Sequence, residues 1–514
     1  LAAGVEEAVK TGTTHTYQIY VNGEWRDASS GETFPSVNPS NEEVIAHIAK
    51  GTRDDAQAAI RAARESFDRG DWSAKTFKQR GEIMLQAFKH LAERSISDDW
   101  ATSESMDSGA TLRLSNLSHV PVALEHFRSL AAQGGEIKEY EPLPWVDVPA
   151  VAWNFVNREP IGVCGQIIPW NFPLVMACWK LAPALVTGNS VVLKPASLTS
   201  ITALELVRAL DQTGLFPKGV INIVTGPGST VGEELASNPL VDKVSFTGST
   251  EVGRRIMQLA SGTVKKVTLE LGGKSANIIL PDADLDLAID GALFATFMHQ
   301  GQVCESGTRL LVPDSMHDEI VERLVARTRE IVVGDALDFE SGMGPLVSEA
   351  QRATVEKYVE IGKSEGARLA TGGKRPSGLD RGFFFEPTIF TEVTNDMRIA
   401  QEEIFGPVLA VIKYRDVGEA IRIANDSIYG LAGGVWSKDI PEAIGVAKKI
   451  RTGTVWINDY HLLNDVSPFG GYKQSGVGKE LGMQGLLEYT IAKHIHVGVS
   501  SRRSDRFIWD AVLP

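Results

Sequence analysis

Cysteine is scarce. The 514 residues contain three, Cys164, Cys178 and Cys304. Three thiols cannot staple a chain of this length into a disulfide framework, which points to a reducing compartment and a cytoplasmic location. Long apolar runs are also missing. No stretch reaches the roughly 18 residues of a membrane-spanning helix. The most apolar segment, PLVMACWKLAPALV, is interrupted by Lys180 and Pro183. Positive charge is short as well: 51 Lys and Arg face 65 Asp and Glu, a net charge of −14. An acidic surface of this kind disfavours nucleic acid and anionic membranes as partners. The opening LAAGVEEAVK lacks the basic start and apolar core of a signal peptide. No internal repeat or low-complexity segment is visible.

What remains is an ordinary globular composition, 43% hydrophobic and 23% charged, which excludes broad disorder. At about 150 residues per domain the length suggests roughly three units. IYV-NG-EWR reads as a hairpin whose Asn22-Gly23 supplies the positive φ pair of a tight turn. Residues 52–95 carry helical periodicity, and a second helical stretch runs to about 135. The segment 136–160 is strand-like but holds Pro142, Pro144 and Pro149, which suits an edge ribbon or arm. From 161 short apolar strands (IGVCGQII, SVVLK, VINIV, KVSF, KVTLEL) alternate with amphipathic helices. A second block from about 273 to 475 offers ANIIL, RLLV, AVIKY, GGVWS and GTVWIN. This rhythm predicts an α/β fold with parallel sheets covered on both faces.

Two strand–turn–helix units could hold a dinucleotide, because helix N-termini present free N–H groups to phosphate. Gly226-Pro-Gly228 is followed by Gly232, and FTGSTEVG supplies Gly248 and Gly253. Neither matches the G-x-G-x-x-G spacing, so tight βα turns explain these glycines as well. Lys194 ends SVVLK at the edge where parallel sheets bind ligands, and Ser249 and Thr250 stand as helix caps.

Three residues suggest chemistry. Cys304 in GQVCESGTRL follows a helix and precedes a strand, among polar neighbours that suit an accessible thiol better than a core one. Glu270 interrupts the apolar strand KVTLEL, where a carboxylate either pairs or serves as a base of raised pKa. Gly272 and Gly273 after it allow close backbone approach. Asn171 in PWNFP is a turn asparagine or an oxyanion donor.

IIPWNFPL, VTLELGGKS, GQVC, EEIFGPV and PFGGYKQSG, in this order across nearly the whole chain, resemble the aldehyde dehydrogenase superfamily. The resemblance implies a Rossmann-like cofactor domain (1–137 and 161–271), an α/β catalytic domain (272–476), and a small β oligomerisation arm with the C-terminal tail (138–160 and 485–514). It implies that Cys304 attacks an aldehyde carbonyl, that Asn171 and the Cys304 N–H hold the oxyanion, and that hydride passes to NAD. Glu270-activated water then hydrolyses the thioester. Lys180 and Glu480 match positions linked to a proton path. Ile168, Pro169, Trp170, Lys194, Ser197, Gly228, Gly232, Phe246, Gly248, Ser249, Val252, Leu271, Gly272, Glu403 and Phe405 match cofactor-contact positions. No metal is implied, and the chain is expected to form a homo-oligomer, dimer or tetramer.

Ser197 departs from a pattern in which that position is often Glu. A neutral hydroxyl does not repel a 2′-phosphate, so NADP is expected to be tolerated beside NAD. Phe172, Met176, Trp179, Met298, Val303 and Leu463 are expected to line a hydrophobic tunnel for medium-sized aliphatic or aromatic aldehydes. No clear ring of aromatics for a quaternary ammonium stands out, which disfavours betaine aldehyde. A CoA-acylating dehydrogenase is the second enzyme reading, opposed by Glu270. A non-catalytic relative of the same fold has little reason to keep Cys304, Glu270 and Asn171 together. His494 and His496 share a strand face without a third ligand nearby, and His461 reads first as a loop histidine and second as a substrate contact. The tail SSRRSDRFIWDAVLP, with Phe507, Ile508 and Trp509, is expected to dock on its own or a neighbouring subunit.

Overall fold

The computed structural model describes residues 14–147 and 151–513. The reading of the first ten residues and of Pro149 lies outside them. Eight strands form the first sheet, in the order Gly476–Val477, Lys266–Glu270, Lys243–Thr247, Val163–Ile167, Ser190–Lys194, Ile221–Ile223, Ile19–Val21 and Glu24–Arg26. The five strands from Lys266–Glu270 to Ile221–Ile223 run parallel. Each is buried or nearly so, as a sheet covered by helices on both faces requires. The register pairs Thr247 with Glu270 and Ile167 with Lys194. The carboxyl ends of these strands therefore open on one edge, where α/β sheets bind ligands. The hairpin at the far edge turns through Asn22 (φ 55) and Gly23 (φ 80), the left-handed pair its sequence demands.

A second sheet holds seven strands: Arg368–Thr371, Thr388–Val393, Val408–Tyr414, Arg309–Pro313, Ala276–Ile279, Ala432–Trp436 and Thr454–Ile457. All run parallel except Arg368–Thr371. A three-stranded antiparallel ribbon pairs Thr490–Gly498 with Ala152–Pro160 over nine residues, and Tyr140–Pro142 joins it. Trp153, Tyr140 and Trp145 stand exposed on or beside it. A further small sheet of His15–Tyr17, Val44–Ala49 and Thr33–Val37 was absent from the sequence reading.

The helix Arg53–Arg69 begins with a capping box between Thr52 and Asp55 and ends at Gly70 in the left-handed conformation. These devices satisfy backbone groups that a helix leaves unpaired. The helix Pro173–Val186 is buried along its whole length, Lys180 included. It starts two residues after Asn171. In the tail, the Arg506 guanidinium donates to the Ser500 carbonyl at 2.5 Å. Phe507, Ile508 and Trp509 stay about half exposed. Among the described residues no helix is long and apolar enough to cross a membrane.

Candidate active site

Asn171, Glu270 and Cys304 line a single cavity of about 390 Å³. They reach it from three directions. Asn171 comes from the loop before the buried helix, and Glu270 is the last residue of its strand. Cys304 follows the helix Leu285–Phe297 and a tight turn in which His299 (φ 49) and Gln300 (φ 57) are left-handed. Gly273 lets the chain pass: a Cβ there would collide with the Cys304 carbonyl oxygen, and one on Gly272 with the Glu403 carboxylate. Glycine is required where backbones approach this closely.

The Asn171 amide donates to the Gln302 carbonyl at 2.8 Å. The amide carries a second hydrogen. The Cys304 N–H makes no hydrogen bond among the described residues, so two donors are available beside the sulfur. Burial pushes the Cys304 thiol well above its ordinary value, and the carboxylates of Glu305, Glu270 and Glu403 push it further. Burial likewise raises Glu270 well above the carboxylate range, assisted by Glu480. Neither Glu270 oxygen has a hydrogen-bond partner among the described residues. A neutral carboxyl of this kind can take a proton from water once it ionises.

Pro169, Trp170, Gly248, Ser249, Leu271, Gly272, Glu403 and Phe405 line the same cavity. The Trp170 and Phe405 rings meet edge to face at 5.1 Å. Glu403 accepts from the Gly273 N–H at 3.0 Å, and burial lifts its carboxyl to about 7. Lys194, Ser197, Phe246, Gly228, Gly232, Val252 and Ile168 lie outside that lining, along the strand edge and the turns that follow. Lys194 is buried, its ammonium lowered to about 8, with the Pro195 carbonyl as its one acceptor among the described residues at 2.9 Å. Ser197 donates to the Gly226 carbonyl at 3.1 Å. Ser249 caps the helix Thr250–Ala260, whose positive end faces the same edge. A buried cation with unused donors beside a helix N-terminus fits a ligand rich in hydroxyl and phosphate oxygens.

On the other side Phe172, Met176, Trp179, Met298 and Leu463 line the cavity. Val303 does not. It is buried at 3% exposure, in the turn closed by the Ser306 N–H on the Val303 carbonyl. A wider recess of about 940 Å³ shares Met298, His461 and Leu462 with the cavity and opens it outward. The sequence reading gave no site role to Glu305, which lines the cavity, and put His461 there only as a second choice. Phe469, Val175 and Gln351 were likewise missed; as apolar or neutral residues in unremarkable contexts they carry no local signal. His494 and His496 both face the Asn154 side-chain oxygen at 2.9 Å.

Fold and site together bring a thiol, a buried carboxyl and an asparagine amide into one cavity at the carboxyl edge of a parallel α/β sheet. The sequence model of the Aldehyde dehydrogenase family matches residues 25–495. The chain belongs to that family. It is 49% identical over 483 residues to a betaine aldehyde dehydrogenase of Bacillus subtilis, covering 93% of this chain and 96% of that protein. It is 45% identical over 490 residues to the human mitochondrial aldehyde dehydrogenase, covering 95% and 93%. A crystal structure of betaine aldehyde dehydrogenase from Staphylococcus aureus in complex with NAD+ superimposes with a TM-score of 0.93 at 42% identity, covering 97% of this chain and 98% of that one.

Proposed function

We propose that this chain oxidises an aldehyde to the carboxylic acid, with NAD as hydride acceptor and NADP tolerated. The observation that carries this reading is the meeting of Cys304, Asn171 and Glu270 in one enclosed cavity. NAD, when bound, supplies the electrophilic ring that takes the hydride. Pro169, Trp170, Gly248, Ser249, Glu403 and Phe405, with Lys194, Ser197 and the other residues of the strand edge, would hold it. Cys304 forms the covalent bond to the carbonyl carbon. Asn171 and the Cys304 N–H stabilise the oxyanion; a donor of this kind contributes about 3–4 kcal/mol to the transition state. Glu270 takes a proton from the water that hydrolyses the thioester. In this reading residues 1–137 with 161–271 bind the cofactor, residues 272–476 complete the catalytic site, and the ribbon with the tail joins subunits of a homo-oligomer.

The apolar walls support a medium-sized aliphatic or aromatic aldehyde as substrate. Betaine aldehyde is the second reading. It is favoured by the names of the similar proteins and by the Glu305 carboxylate among the Trp179, Phe172 and Phe469 rings of the cavity, which could face a cation. The three unpaired cysteines suit a cytoplasmic location. Reduced nicotinamide should appear with an aldehyde panel without CoA, and not with Cys304→Ala. A strict need for CoA would instead indicate the acylating reaction. Inactivity of the native chain on every aldehyde would indicate a non-catalytic relative.

A further inference from the structure

The cavity holds one carboxylate that this reaction does not use. Glu305 follows the nucleophile and is 6% exposed. Its Oε2 accepts from the Cys304 thiol at 3.0 Å, the sulfur's one hydrogen bond among the described residues. Its Oε1 lies 3.2 Å from Nδ1 of His461. Its backbone carbonyl accepts from the Tyr460 hydroxyl at 2.9 Å, so main chain and side chain are both fixed.

The other nitrogen of His461, Nε2, lies 3.0 Å from the Ala295 carbonyl oxygen. A carbonyl only accepts, so Nε2 carries a hydrogen. In a neutral imidazole Nδ1 would then carry none, and its contact with a carboxylate would set two lone pairs against each other. A further proton must lie between His461 and Glu305, as an imidazolium–carboxylate pair or a carboxylic acid facing a neutral ring. His461 also sits at φ 63, a backbone region uncommon outside glycine. The rings of Phe294 and Tyr460 pack edge to face against it.

We infer that Cys304, Glu305 and His461 form a proton relay for the attack on the aldehyde, which leaves Glu270 to the hydrolysis. The inference rests on Cys304 being the nucleophile. As the sulfur closes on the carbonyl carbon, the S–H bond breaks and its proton moves to Oε2 of Glu305. The sulfur electron pair becomes the C–S bond, and the carbonyl π pair moves to the oxygen held by Asn171. When water later cleaves the thioester, the sulfur keeps the C–S pair and recovers its proton from Glu305. The proton of the water goes to Glu270. Glu305 is catalytic in this scheme; His461 is a positioning residue that holds Oε1 of Glu305 and lowers its carboxyl, which keeps it ionised beside the thiol.

A spectator carboxylate would act with the opposite sign. Replacing it by a neutral amide removes a negative charge beside the thiol, favours the thiolate and speeds attack. Removing a relay slows attack. p-Nitrophenyl acetate separates the steps without any cofactor. The initial burst of nitrophenolate reports acylation of Cys304, and decay of the acetyl-enzyme reports hydrolysis.

Glu305→Gln is expected to slow the burst about 100-fold, the lower end of general-base effects, and to slow acetyl-enzyme decay much less, because a thiolate can leave before it is protonated. His461→Asn should slow the burst and move its pH midpoint upward. Glu270→Gln should keep the burst and lose the decay. A Glu305→Gln burst as fast as native or faster would overturn the relay. So would an unmoved midpoint in His461→Asn, or loss of the burst in Glu270→Gln. If Glu305→Gln fails to fold, the His461→Asn midpoint and the Glu270→Gln burst decide. A burst that survives Cys304→Ala would instead remove the nucleophile assignment itself.

Discussion

Nζ of Lys180 lies 2.6 Å from Oε1 of Glu480, with both side chains enclosed. The Ser245 hydroxyl bridges them, 2.9 Å from each. The pair lies within electrostatic reach of Glu270, where Glu480 raises the Glu270 carboxyl and Lys180 lowers it. A buried ion pair fixes the ionisation of its neighbours, and breaking it by removing one partner costs about 3–5 kcal/mol.

The two partners should therefore shift thioester hydrolysis in opposite directions. Glu270 must lose its proton to act as a base, so hydrolysis rises with pH as its raised carboxyl ionises. Glu480→Gln should move that rise to lower pH, and Lys180→Met should move it to higher pH. Decay of the acetyl-enzyme, followed from pH 6 to 10, is the measurement. Equal midpoints in both variants would separate the pair from Glu270.

Asn171→Ala should lower kcat by about 10²–10³ with little change in folding. The side chain donates one hydrogen to Gln302, so the variant loses both an anchor and an oxyanion donor. Asn171→Asp should be worse, because it places a negative charge beside the developing oxyanion. Steady-state kinetics with one aldehyde checks both.

Ser197→Glu should raise the KM for NADP far more than that for NAD, because a carboxylate at this edge repels the extra phosphate. Lys194→Met should raise KM for both. Parallel titrations of the two cofactors read the result, and equal changes for both in Ser197→Glu would place the 2′ position elsewhere.

Hexanal and benzaldehyde should show a higher kcat/KM than betaine aldehyde, as expected for walls made by Phe172, Met176, Trp179, Met298 and Leu463. The reverse order would favour the cationic reading, with Glu305 as the counter-charge.

The parallel strands were legible because most are short, largely apolar runs between turn residues. Ala276–Ile279, Arg309–Pro313 and Ala432–Trp436 are of this kind. Thr388–Val393 was not, since its sequence TIFTEV mixes Thr and Glu into the run. Thr33–Val37 contains Pro35, which argues against a strand except at an edge; it does pair along one side only. In the site, Glu270 stood out as a carboxylate inside an apolar strand, Cys304 as a thiol among polar neighbours, and Asn171 as an amide in a loop with prolines on both sides. Val303, expected in the pocket, is buried outside the lining, and its place in the turn beside Cys304 gave no sign of that. The Glu305–His461 contact joins positions 156 apart in sequence, and nothing at either position announces the other.

The account depends on a covalent bond between the Cys304 sulfur and the substrate carbonyl carbon. Mass spectrometry of Glu270→Gln, quenched after mixing with NAD and hexanal, tests this most directly. A hexanoyl adduct on the peptide containing Cys304, with about one reduced nicotinamide formed per adduct, is the expected result. Reduced nicotinamide without any adduct, or an adduct on another residue, would contradict it.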